Sequence, residues 1–217
     1  MTTTTSTRSP IDPTSGSAAP ELTAPGPTAD PTVPLRFAVI AASVRTERLG
    51  RLLADWVAER ATASGAEVDV IDLADCELPA DELLQPGGGP RSRIAERVER
   101  ADGYLVVTPE YNHSYPASLK RAIDWHYGEW MFKAATVLSY GAQGGLLATE
   151  HLRGVFAELH VVTTRRVVGL RAPWNDLDGG DYVPPAGVDE ALDEALGELA
   201  WWAETLRAAR RDRPFGR

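Results

Sequence analysis

Three groups of residues have the types and spacing to do chemistry. The first is Ser43, Arg45 and Arg48, just after the apolar run at residues 35–41. A loop that joins the carboxyl end of a strand to a helix points free backbone N–H groups at whatever sits above it. An anion there gains those donors, the helix dipole, a hydroxyl and two guanidinium groups, and guanidinium binds phosphate through charge-assisted hydrogen bonds. The dipole disfavours cations at a helix start, so an anionic partner explains two arginines there better than solvation does. The second group is the run Thr108-Pro109-Glu110-Tyr111-Asn112-His113-Ser114-Tyr115-Pro116, polar and aromatic, with no aliphatic side chain from Glu110 to Tyr115. The third is Tyr140-Gly141 with Gly144-Gly145, where small residues let a backbone come close to a flat ring.

These groups need elements to hold them. Tyr104-Leu105-Val106-Val107 has the length and β-branched content of a buried parallel strand. Thr108-Pro109 is expected to end its ladder, because proline has no N–H to donate. After Pro116, which is tolerated in a first helical turn, Leu119, Ala122 and Ile123 recur at helical spacing. Before this block, residues 35–41 read as a strand. Leu49, Leu52, Leu53, Trp56 and Val57 form a helical stripe that stops near Gly65, and residues 67–73 alternate like a second strand. Residues 79–90 read as a flexible loop. Its Gly87-Gly88-Gly89 lacks the following Lys-Ser/Thr that a phosphate cradle needs. A helix is expected at 94–101, a strand at 133–140 and a helix at 146–159. A fifth strand at 160–168 should be interrupted near Arg165-Arg166, residues 172–187 should be irregular, and an amphipathic helix at 188–210 should close the chain. Strands alternating with helices argue for a parallel sheet covered on both faces. Residues 1–34 are rich in threonine, serine, proline and alanine, hold no aromatic residue, and cannot bury enough apolar surface to offset the entropy of ordering them. They read as a disordered tail preceding one domain at 35–212.

Thr108 to Pro116, followed by Leu119-Lys120 and Ala122-Ile123-Asp124-Trp125, resembles the NADPH-dependent FMN reductase family, which includes flavin, quinone, azo and chromate reductases. The resemblance implies an α/β, flavodoxin-like, doubly wound five-stranded parallel sheet of order 2-1-3-4-5 with helices on both faces. It also implies FMN as cofactor. Pro109, Glu110, Tyr111 and Asn112 would contact the flavin ring, mostly through the main chain and the Asn112 amide. Ser43 and Arg45 match the loop that holds the FMN phosphate, continued by Arg48-Leu49-Gly50. Tyr140, Gly141 and Gly144 would meet the pyrimidine edge. Three departures stand out: Ala42 where glycine is usual, which costs backbone freedom; Arg121 for asparagine, expected to face solvent; and Leu146-Leu147 where an arginine that contacts the nicotinamide dinucleotide is common.

The function implied is FMN-dependent NAD(P)H oxidoreduction, with ping-pong hydride transfer from NADPH or NADH to FMN and on to a small acceptor. A quinone, a flavin, an azo compound or a metal oxyanion would serve. The cofactor carries the redox chemistry, so no catalytic side chain is assigned. The absence of Gly-x-Gly-x-x-Gly fits a dinucleotide that visits as substrate. A flavodoxin-like electron carrier that binds FMN without NAD(P)H turnover is the competing reading, and a scaffold that has lost flavin is a third. The four histidines show no metal-ligand spacing, the single Cys76 builds neither a disulfide nor a thiolate zinc site alone, and no Gly-x-Ser-x-Gly elbow occurs. A net charge of −9 argues against nucleic-acid binding. No apolar run approaches the roughly 18 residues of a membrane span, and the amino terminus has no signal-like apolar region, so a cytoplasmic location is expected. Six tryptophans, among them Trp125, Trp130 and the adjacent Trp201-Trp202, together with the resemblance, lead to the expectation of a homodimer or homotetramer, with Trp125 and Trp130 near the interface.

Overall fold

The computed structural model describes residues 33–216, so the tail expected at 1–34 lies outside the described residues apart from Val33 and Pro34. The elements in order are β1 (Arg36–Ala41), α1 (Leu49–Ala63), β2 (Glu67–Asp72), α2 (Ala95–Arg100), β3 (Gly103–Pro109), α3 (Ala117–Trp125), β4 (Ala134–Gly141), α4 (Leu146–Glu158), β5 (Val162–Thr163), β6 (Val168–Arg171), β7 (Leu177–Asp178), β8 (Asp181–Tyr182) and α5 (Val188–Asp212). The main sheet is wholly parallel, in the order β2-β1-β3-β4-β5, with β6 also pairing β4. This is the flavodoxin-like order 2-1-3-4-5, with β5 and β6 as two halves of one fifth strand.

The alternation of side chains along central strands builds two cores. Ala38, Ile40, Tyr104 and Val106 face Ile94, Val98, Leu119, Ile123, Leu152 and Phe156 from α3, α4 and the α2 region. Phe37, Val39, Leu105 and Val107 face Leu53, Val57, Leu192, Leu196 and Leu199 from α1 and α5. Every residue of β3 is buried, as a central parallel strand requires. The edge strand β2 is only half buried, and its Asp69 pairs with Arg97 of α2, which accounts for its polar alternation.

The interruption expected in the fifth strand is a bulge. Residues 164–167 span what Thr136 and Val137 cover in β4. The backbone groups it frees find partners: Thr164 N–H donates to Ala135 C=O at 2.9 Å, and Arg165 and Arg166 N–H donate to the Glu198 carboxylate of α5 at 2.8 and 2.9 Å.

Several sequence expectations need correcting. β3 ends with Thr108-Pro109 as expected, but both residues still belong to it, in register with Ser139 and Tyr140. The missing N–H costs nothing there. Glu110 N–H donates to Tyr140 C=O and Ala42 N–H to Val107 C=O, so Pro109 faces the β1 side just beyond the end of β1. The loop at 79–90 is anchored. Gln85 and Gly88 exchange backbone hydrogen bonds at 3.1 and 3.0 Å, Gly89 N–H donates to Trp125 C=O, and Trp125 Nε1–H donates to Pro90 C=O at 2.9 Å. Gly89 lies flat on the Trp125 ring, which a Cβ would meet at 2.3 Å. Residues 172–187 hold a 3₁₀ turn (Pro173–Asn175) and the β7–β8 hairpin. Trp125 and Trp130 are not surface residues. Trp125 is buried under Gly89, and Trp130 packs on Tyr104 and Phe156 with centroids at 4.4 and 5.8 Å, so neither is free to meet a partner.

Candidate functional site

The carboxyl ends of β1, β3 and β4 open on a common cleft of about 410 Å³, within the range of small-molecule sites. On the β1 side, the N–H groups of residues 43–47 donate to no protein acceptor among the described residues, and Arg48, at the N-cap of α1, makes no side-chain capping bond. This is a run of free donors at a helix N-terminus, as anion binding requires. Ala42 does not strain the loop: it keeps negative φ, its N–H bonds Val107, and its carbonyl accepts from Ser118 Oγ at 2.7 Å. The expected loss of backbone freedom is therefore without effect here.

The two arginines differ. Arg48 is mostly buried, and one of its terminal nitrogens is paired with the Asp72 carboxylate, which Arg51 also approaches at 3.6 Å. Its Nε has no partner among the described residues. Much of its charge is therefore answered inside the protein. Arg45 is exposed, makes no ion pair among the described residues, and stands over the Tyr111 ring at 4.3 Å. It is the cation this loop presents to a ligand. Glu47 lines the same cleft, an opposing charge that the sequence reading passed over.

The central loop folds as a tight turn. Tyr111 and Ser114 exchange backbone hydrogen bonds at 2.7 and 3.0 Å, and Asn112 and His113 both take positive φ, 50° and 67°. Two positive φ values define a type I′ turn, and asparagine and histidine are among the non-glycine residues that tolerate them best. The turn carries Asn112 and His113 to its exposed tip, and neither lines the cleft. Pro109, Glu110 and Tyr111 do line it. The Tyr111 hydroxyl lies 3.3 Å from Ser43 Oγ, which ties this turn to the β1 loop. The Glu110 carboxylate accepts from Leu147 and Ala148 N–H at 3.0 and 3.3 Å, so a residue of one loop caps the helix after another.

From β4, Tyr140 and Gly141 line the cleft, and Gly144, at φ 84°, completes the turn away from it. Tyr140 is buried with its hydroxyl under Gly50, where a Cβ would come within 2.5 Å. That contact, rather than contact with a ligand, accounts for Gly50. Burial chiefly pushes the Tyr140 hydroxyl up to about 12, with a hydrogen bond to Ser43 opposing, so it stays protonated near neutrality. Leu146 and Leu147 are both exposed at the start of α4.

Of the residues read from the sequence, Ser43, Arg45, Arg48, Leu49, Pro109, Glu110, Tyr111, Tyr140 and Gly141 come together. Gly50, Asn112 and Gly144 do not line the cleft: Gly50 packs on Tyr140, Asn112 is exposed at the tip of its turn, and Gly144 turns the chain behind Gly141. Ala142 and Trp174 were missed; nothing in local spacing could have placed Trp174 there, because it arrives from the far end of the sheet. The donor set fits a phosphate-bearing planar cofactor such as FMN: free N–H groups and Arg45 on the β1 loop, with Tyr111, Tyr140 and their two turns lining the adjoining walls.

Residues 35–174 match the NADPH-dependent FMN reductase family. An NAD(P)H-dependent FMN reductase of Schizosaccharomyces pombe is 32% identical over 76% of this chain and 88% of its own length. A 2-hydroxy-1,4-benzoquinone reductase of a Burkholderia species is 34% identical over 80% of this chain and 98% of its own. Among solved structures, the flavoenzyme NAD(P)H:(acceptor) oxidoreductase FerB of Paracoccus denitrificans superposes with a TM-score of 0.60 at 24% identity, covering 80% of this chain and 97% of that one, a likeness of fold. With its sheet order, its glycine-containing turns and the block from Thr108 to Trp125, the chain belongs to the NADPH-dependent FMN reductase family.

Proposed function

We propose that FMN lies in this cleft, its phosphate on the loop of residues 43–47 and its ring against the turns at Pro109–Tyr111 and Tyr140–Gly141, and that a small organic molecule is the final electron acceptor. The protein is an FMN-dependent NAD(P)H oxidoreductase, and the flavin, when bound, supplies the two-electron relay between dinucleotide and acceptor. The observation that carries the site assignment is the juxtaposition, in one cleft, of unpaired backbone donors with Arg45 and of the walls formed by Pro109–Tyr111 and Tyr140–Gly141. Arg45 and the loop N–H groups bind and orient; Tyr140 supplies an uncharged hydroxyl at neutral pH. The Glu110 carboxylate, occupied by two N–H groups of α4, is committed to positioning rather than to proton transfer.

The test is reconstitution with FMN followed by steady-state NADPH oxidation with a quinone. A chain that takes up no flavin would sink the site assignment. A chain that binds flavin and oxidises no NAD(P)H would be an electron carrier instead. The Burkholderia relative's name makes a benzoquinone the first acceptor to try.

We further infer a homodimer or homotetramer. The support is the exposed apolar groups Leu146, Leu147 and Trp201, now that Trp125 and Trp130 are accounted for internally. Light scattering that returns the monomer mass for the active, FMN-loaded protein would defeat this. No helix among the described residues is long and apolar enough to cross a membrane. A cytoplasmic location belongs to the same proposal and is checked by cell fractionation.

A further inference from the structure

Trp174 is a large aromatic residue in an unusual setting. Its side chain is not needed by either core, and the residue is 52% exposed, yet it lines the same cleft as Tyr111 and Tyr140. Exposed tryptophans are ordinarily free to reorient, but this one is mounted on a fixed turn. Ala172, just before it, takes the left-handed conformation (φ 49°, ψ 49°), which a residue with a Cβ avoids unless its surroundings impose it. The surroundings are on hand. Ala172 N–H donates to Gly141 C=O at 2.8 Å, and Gly141 is itself a cleft residue. Pro173 is buried, Asn175 N–H closes the turn on Ala172 C=O at 3.0 Å, and Val183 N–H ties the hairpin back to Asp176 at 2.8 Å. The hairpin in turn rests on α1 through Tyr182, whose ring meets Trp56 edge-on at 5.2 Å. The chain thus holds backbone strain and a hairpin in place, and what they fix at the cleft is the backbone that carries one indole.

Building on the reading of the cleft as an FMN and NAD(P)H site, we propose that Trp174 is the specificity-determining wall of the acceptor position and that it selects planar aromatic acceptors of the quinone class by stacking. The net reaction is NAD(P)H + H⁺ + quinone → NAD(P)⁺ + hydroquinone: one hydride, that is two electrons and one proton, leaves the dihydronicotinamide, and a solvent proton completes the second hydroxyl. A quinone offers the protein little besides the face of its ring and two carbonyl oxygens, so an aromatic wall is the main handle available for binding it. A dinucleotide carries a pyrophosphate and an adenosine that other groups can hold, so its binding depends less on one stacked ring. Trp174 therefore acts on the acceptor more than on the reductant.

The test uses the full-length, FMN-loaded, oxidised protein and 2-methyl-1,4-naphthoquinone without NADPH, so that binding is measured calorimetrically with no turnover. Trp174→Ala is expected to raise the quinone Kd about tenfold, and Trp174→Phe, which keeps a flat ring, only about threefold. In steady state the quinone KM should follow the Kd, while the NADPH KM moves less. Because Trp174 is half exposed, truncating it does not open the core, and an unchanged thermal midpoint of Trp174→Ala serves as the control for folding. An unchanged quinone Kd in Trp174→Ala would overturn the proposal. So would a tenfold rise in the FMN Kd of that variant, which would make Trp174 a cofactor contact. If the wild-type protein itself reduces no quinone with NAD(P)H, the underlying reading of the cleft fails; if it does and Trp174→Ala behaves like wild type, only the assignment of Trp174 fails.

Discussion

Arg45 and Arg48 show how two residues of one type, three positions apart, come to do different work. Arg48 is held on Asp72 at the end of β2, and removing it would leave that buried carboxylate with Arg51 at 3.6 Å and the Ala74 N–H at 3.0 Å. Arg45 faces the cleft over the Tyr111 ring and makes no ion pair among the described residues, so its charge is available to a ligand. Arg45→Ala is therefore expected to weaken FMN binding by about 1–3 kcal/mol, the range for a charge-assisted hydrogen bond. Riboflavin, which has no phosphate, supplies the control. Its affinity should be almost unaffected, and equal weakening of the two flavins would show that the loop does not hold the phosphate.

The elements that carry the site are braced by contacts made behind it. Trp125, the last residue of α3, receives Gly89 flat on its indole. Gly89→Ala would drive a methyl group into a rigid ring and is expected to cost about 1–3 kcal/mol, as overpacking does, read as a lower urea midpoint with an unchanged slope. An unchanged midpoint would mean that the loop simply lifts away.

The next residue, His126, is buried: its Nδ1–H donates to Ala122 C=O at 2.7 Å, and Ser92 Oγ lies 2.5 Å from its Nε2. Burial chiefly lowers its pKa, against the opposing effects of the Ala122 bond and Glu129. The folded state then binds fewer protons than the unfolded chain. The sign follows: the stabilisation is fully present above the unfolded value of about 6.5 and is lost as pH falls below it toward the folded value. The thermal midpoint should drop between pH 7 and 5.5, and His126→Asn, which keeps a donor for Ala122, should flatten that drop. His113, His151 and His160 are exposed, and an identical slope in the variant would assign the effect elsewhere.

At the scale of the molecule, the long helix α5 closes one face of the sheet and fastens the start of the domain. Arg207 donates to the carbonyls of Val33 and Pro34 at 3.2 and 3.1 Å, and Arg207 and Arg210 both reach Asp102, which also accepts from Arg36 N–H. We propose that residues 1–32 contribute nothing to this frame. Deleting them leaves the Arg207 clasp in place, so the thermal midpoint and NADPH oxidation should stay within experimental scatter of the full chain. A fall of many degrees, or loss of bound flavin, would show that the segment packs on the domain.

Much of this protein is determined locally and so is legible in its sequence. Buried parallel strands must be apolar and β-branched, helices must show one apolar stripe, and glycines punctuate the turns; β1, α1, β3, α4 and α5 were readable for those reasons. The block at 108–116 was legible because adjacent residues on one loop stay adjacent in space. What the sequence could not determine depends on where distant segments meet. Whether Arg48 is free or paired depends on Asp72 across the sheet. Whether Glu110 serves the ligand or a helix depends on the start of α4, and whether Gly50 meets a ligand or a tyrosine depends on β4. Trp174 joins the site only because the bulged fifth strand pairs with β4 and returns the chain to Gly141. Local propensity sets the elements; hydrogen bonds and packing between residues far apart in the chain decide which side chains are left over to face the cleft.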